Sequence, residues 1–132
     1  MTAERDLQRL LESMEPVLRP GTFVFAVVSD ESVLEGVVPE ATVREQEGVT
    51  VVLPQERADA LGLTYDHVAA WITLRVHSAL DAVGLTSAVS SALAAAGMSC
   101  NVLAGYHHDH LLVPAGRGDE AIQVLRDLSR GA

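Results

Sequence analysis

The chain of 132 residues contains no lysine. Its nine basic residues are all arginine, set against 18 acids, and the formal charge is -9. Nucleic acid and anionic membrane surfaces both require a basic patch, so neither is an expected partner. Cysteine is almost absent. Cys100 stands alone, which excludes an internal disulfide and a thiolate metal site built from one chain. Aromatics amount to 4%. Trp71, Phe23 and Phe25 fall in strand-like segments, where core packing accounts for them without base stacking. No apolar run approaches the roughly 18 residues of a membrane span. Met1 to Asp6 runs into a polar helical pattern rather than a charged-then-apolar leader. A soluble, cytoplasmic protein is expected.

What the chain has is apolar content, 48%, in clear periodic segments. Leu7, Leu10, Leu11 and Met14 recur at helical spacing and predict an amphipathic helix stopped near Pro16 and Pro20-Gly21. Thr22–Val28 is apolar on both faces and reads as a central strand. Residues 29–39 read as a loop. Ala41–Glu45 and Val49–Leu53 flank Gln46-Glu47-Gly48, a hairpin pattern. Pro54 opens a short helix through Leu61, with Gly62 as its end. Ala70–Val76 is the next strand. Leu85, Val89, Leu93 and Ala96 mark one face of a helix closed by Gly97. Cys100–Tyr106 and His110–Val113 frame a second hairpin, and Pro114–Gly118 is a turn. Ala121, Ile122, Leu125 and Leu128 form the last helix, with Asp119 near its positive end.

The predicted order is therefore α-β-β-β-α followed by β-α-β-β-α. The second unit lacks a final strand. The first either donates one or is a circularly shifted copy of the same unit. Thr64–Val68 is the expected junction, which divides the chain into residues 1–64 and 65–132.

The segment Val76–Thr86 is the most informative for function. It reads as a strand end, a tight loop and a helix start, with Asp81 and Gly84 at the junction. A glycine there admits a ligand close to the backbone. The unpaired N–H groups of the first helical turn attract an anion, and an acid beside them attracts a cation. The pair suits a zwitterion such as a free amino acid. The alternative role for Asp81 is to cap the helix. A second candidate is His107-His108-Asp109-His110, whose side chains are good ligands for zinc-like ions. Strand alternation splits them between two faces, which favours a polar hairpin tip and no metal. His77, Ser78 and Asp81 do not make a hydrolytic triad. Ser78 lacks the Gly-x-Ser-x-Gly setting of a strained nucleophile, and three residues of one loop rarely reach the required geometry.

Asp81-Ala82-Val83-Gly84-Leu85 resembles the Asp-x-Pro-Gly-Leu turn of ACT domains, the small amino-acid-sensing modules, with Val83 in place of proline. The helix that follows ends at Ala96-Gly97, and Met98–Val102 enters the next strand, as it does in that family. The family's asparagine two residues after this glycine is Ser99 here, and asparagine comes only at Asn101. Val51–Pro54 and Ala104–His110 extend the resemblance, over nearly the whole chain, to small stand-alone prokaryotic proteins with two ACT-like halves. It implies an α+β fold: a ferredoxin-like α/β sandwich of two halves, with mainly antiparallel sheets and helices on one face. It implies non-catalytic, regulatory binding of an amino acid at Asp81, Val83, Gly84 and Leu85. Asn101 either adds an amide hydrogen bond from the neighbouring strand or is an ordinary strand-edge asparagine. No cofactor is implied. ACT domains commonly pair, so a homodimer or an intrachain pseudo-dimer is expected. The alternatives are an interaction module without a ligand and a metal-binding protein at the His107–His110 tip.

Overall fold

The computed structural model describes residues 6–76 and 82–131. Four helices are found among them: α1 (Leu7–Ser13), α2 (Gln55–Ala60), α3 (Leu85–Ala95) and α4 (Gly118–Arg130). The strands are β1 (Glu15–Leu18), β2 (Phe23–Val28), β3 (Ala41–Glu45), β4 (Gly48–Pro54), β5 (Val68–Arg75), β6 (Asn101–Ala104) and β7 (Asp109–Pro114). By contact the chain forms two compact units, Met1–Pro20 with Ala70–Ala132, and Gly21–Ala69. The boundary expected between residues 64 and 65 follows chain order. Contacts gather the first 20 residues with the last 63.

In the larger unit the strands run β1-β5-β7-β6. β6 and β7 are an antiparallel hairpin. The order β5-α3-β6-β7-α4 is a β-α-β-β-α unit, and β1 supplies its final strand. β1 lies antiparallel to β5 with Glu15 opposite Arg75 and Pro16 opposite Leu74. The sequence reading missed β1 because it took Pro16 only as a helix stop. Proline lacks the N–H that a ladder needs, but a strand paired on one side tolerates it. Helix α1 starts at Asp6, whose carboxylate accepts the Arg9 N–H at 3.0 Å.

One core joins Leu10, Leu11 and Met14 to Ala70, Ile72 and Leu74 of β5, to Leu85, Val89 and Leu93 of α3, and to Ala121, Ile122 and Leu125 of α4. These helices therefore cover the face of β5 that its even-numbered side chains reach. At the carboxyl end of α3, Gly97 takes φ +77°, and the Met98 N–H reaches Leu93 O at 3.0 Å. This is a Schellman closure. The Arg117 guanidinium reinforces it by donating to Ala96 O and Gly97 O, each at 2.9 Å.

In the smaller unit the order is β3-β4-β2, followed by the first residues of β5. β2 pairs antiparallel with β4 along its whole length, and Phe23 and Val24 pair with Ala69 and Val68 on its other side. Val24, Ala26, Val28, Val49, Val51 and Leu53 fill the core with Leu34 and Ala58. The chain follows the same plan as the larger unit, with its first helix reduced to a 3-10 turn, Glu31–Leu34. Asp30 caps that turn by accepting the Ser32 N–H at 2.8 Å. The expected loop at 29–39 thus contains one ordered turn.

Candidate functional site

β5 ends at Arg75 and α3 begins at Leu85. Gly84 sits at the helix entry with φ +103°, a left-handed conformation that glycine adopts freely. Its carbonyl accepts the Ala88 N–H at 2.8 Å, the first bond of the helix. Having no side chain, Gly84 gives the first turn of the helix no side-chain cap. A Cβ at this position would lie 3.0 Å from Leu7 Cδ2 and 3.5 Å from Leu7 Cδ1. The loop backbone therefore meets α1 at Leu7. Leu85 is buried in the core, whereas Val83 is 83% exposed.

Beside this contact is an open depression of about 460 Å³, bordered by Asp6, Leu7, Gln8 and Leu11. Its lining pairs apolar side chains one helical turn apart with a carboxylate and an amide. Leu7 touches both the depression and the Gly84 position, and it is 37% exposed. No local pattern in the chain signals this contact. At its spacing Leu7 belongs to the same apolar stripe as the buried Leu10 and Leu11.

The remaining candidates separate. Asp81, His77 and Ser78 lie outside the described residues. Asn101 is exposed at the start of β6, opposite Leu112. It follows the far end of α3, an 11-residue helix that spans about 16 Å.

The histidine tip is a turn between β6 and β7, closed by the Gly105 N–H donating to His108 O at 2.9 Å. His110 is directed toward β5. Its Nδ1 is 3.0 Å from Thr73 Oγ1, which also receives the Trp71 indole N–H at 3.2 Å. The His110 ring lies 5.3 Å from that of Trp71, and the Arg19 guanidinium stacks on Trp71 at 4.9 Å. Burial pushes the His110 pKa down from its ordinary 6.5, helped by repulsion from His108 and Arg19 and opposed by Asp109. Burial pushes Asp109 up from 3.8 despite the attraction of His110 and His108. The His108 Nδ1 is buried without a hydrogen-bond partner among the described residues. No three His, Cys, Asp or Glu side chains among the described residues converge on a metal position. Cys100 packs at the edge of the core, and burial raises its thiol pKa.

The two units are α+β, with antiparallel strand pairing and helices on one face, a ferredoxin-like architecture. Sequence profiles described as ACT domain match residues 2–70 and 67–127, and the chain belongs to the ACT-domain family. A solved protein of unknown function from Vibrio cholerae, described as a possible transport protein, is 44% identical. The match covers 93% of this chain and 95% of that one, with a TM-score of 0.85. A protein from Agrobacterium tumefaciens is 18% identical over 88% of this chain and 89% of its own, with a TM-score of 0.63. The ligand-free regulatory subunit of aspartate kinase from Thermus thermophilus is 8% identical over 89% and 97%, with a TM-score of 0.67. At such identities the last two share the fold alone. No curated protein matches the sequence. Among the described residues, no helix is long and apolar enough to cross a membrane.

Proposed function

We propose that this protein is a non-catalytic regulatory module that binds a free amino acid at the loop running from Asp81 to Leu85. One observation carries the reading. Gly84 enters α3 with φ +103° and no side chain, beside a depression of about 460 Å³ that Leu7 shares. In this reading the N–H groups of the first α3 turn receive the ligand carboxylate. Asp81 pairs with the ammonium group, and Val83 and Leu85 hold the loop between solvent and core. Leu7 and Leu11 receive the ligand's side chain. Asn101, exposed at the start of β6, offers an amide hydrogen bond in the same reading. Membership of the ACT-domain family supports the ligand class, and likeness in fold to an aspartate kinase regulatory subunit supports a regulatory role.

The test is a calorimetric and thermal-shift panel of the twenty amino acids. A ligand at 100 times its Kd is expected to stabilise the fold by about 2.7 kcal/mol. Folded protein that shows neither heat nor a melting shift with any amino acid at millimolar concentration rejects the proposal in favour of an interaction module without a ligand.

A further inference from the structure

A separate cavity of about 510 Å³ lies wholly in the smaller unit, lined by Glu35, Gly36, Val37, Val38, Glu40, Pro54 and Arg57. Its size is within the roughly 300–1,000 Å³ of small-molecule sites. Val37 and Pro54 are half-buried and supply apolar wall. Three charged side chains line the same space, the Arg57 guanidinium and the carboxylates of Glu35 and Glu40. Among the described residues the Arg57 guanidinium and the Glu35 carboxylate form no ion pair with each other and no side-chain hydrogen bond.

The backbone adds an independent observation. Glu35 has φ +51°, and it is the one non-glycine residue with positive φ among those described. Gly36, next to it, has φ +83°. A side chain in the left-handed region is strained, and glycine at 35 would make the same turn without that cost. The turn alone therefore does not explain a glutamate there. Strain of this kind collects at binding and switching sites.

We propose that this cavity is a second ligand site, for a small zwitterion carrying a carboxylate and an ammonium group. Arg57 receives the carboxylate in a planar two-point contact, Glu35 receives the ammonium group, and Val37 and Pro54 pack on the ligand's carbon frame. A singly charged molecule satisfies only one side. The site is independent of the loop before α3, so each is filled or empty on its own account.

The experiment follows amide NMR shifts of the full chain titrated with each of the twenty amino acids, with acetate and methylammonium as singly charged controls. The expected result is saturable movement of the Gly36, Val37 and Val38 amides with at least one amino acid and none with either control. Arg57→Gln is expected to weaken that response at least tenfold, and Gly84→Val to leave it intact. Glu35→Gly is the decisive variant. It removes the carboxylate and relaxes the strain, so binding should weaken at least tenfold while Tm holds or rises. The proposal is overturned if shifts appear only at residues 82–88, if the controls move the same amides, or if Glu35→Gly binds as well as the parent chain. Shifts confined to residues 36–40 support this site and reject the loop before α3.

Discussion

At the scale of the residue, Gly84 and His110 carry the sharpest consequences. Gly84 is constrained twice, by φ +103° and by Leu7 Cδ2 at 3.0 Å from the position of a Cβ. Gly84→Val is expected to destabilise the fold by about 1–3 kcal/mol, through backbone strain and overpacking, and to abolish amino-acid binding. Adding Leu7→Ala should recover the packing part and leave the backbone part. Denaturant melts of the single and double variants measure both, and a Gly84→Val chain with parental midpoint and affinity contradicts this account. His110 makes stability depend on pH. Its folded pKa lies below 6.5, so the unfolded chain binds the proton more readily. Stability is full above 6.5 and is lost as pH falls through the folded value. Asp109 has the opposite sign. Its folded pKa lies above 3.8, so its favourable contribution is present below that value and is lost as pH rises. His110→Gln keeps a hydrogen-bonding partner for Thr73 and removes the titration. Its Tm should fall less than that of the parent between neutral pH and pH values just below 6.5, and parallel Tm profiles would count against the assignment.

At the scale of the element, the first 20 residues belong with the last 63. α1 contributes Leu10 and Leu11, with Met14 just beyond it, at 0%, 9% and 4% exposure, and β1 pairs with β5. Truncating a buried Leu or Met to alanine costs about 2–5 kcal/mol. Three such losses together rival the roughly 5–15 kcal/mol that holds a whole domain. Deleting residues 1–18 is therefore expected to abolish cooperative unfolding of the larger unit. Trp71, the single tryptophan, lies in that unit and reports it by fluorescence. A sharp transition at the parental temperature in the deleted chain would show that α1 and β1 are dispensable.

At the scale of the whole molecule, the proposed regulatory role predicts an assembly. A binding module acts on a partner only if occupancy alters an interface, and a homodimer is the simplest form. With a charge of -9 on each chain, association works against repulsion. The interface should be apolar at its centre, and salt should strengthen it by screening. Light scattering across protein and salt concentrations is expected to give the mass of two chains, more readily at high salt. A one-chain mass throughout, with and without amino acid, rejects the dimeric reading.

What the sequence determined by itself was local. Apolar spacing located α1, α3, α4 and both hairpins, because periods of 3.6 and 2 are written in neighbouring residues. Gly62 and Gly97 were legible as helix ends, and Gly84 as a helix entry, since positive φ is a property of the single residue. Tertiary structure decided what depends on distant partners. β1 was hidden because Pro16 reads as a stop until Leu74 lies opposite it. The stripe of α1 did not distinguish Leu7 from its buried neighbours until the fold laid Leu7 against Gly84. The same holds for His110, which meets Thr73 and Trp71 and has its pKa lowered by burial with a contribution from Arg19, all far away in the chain. Glu35 and Arg57 share a cavity only because β2, β3 and β4 bring the 3-10 turn and α2 into one unit. Periodicity shows which face of an element is buried, but the partner on that face is set by long-range pairing and packing, which no local pattern encodes.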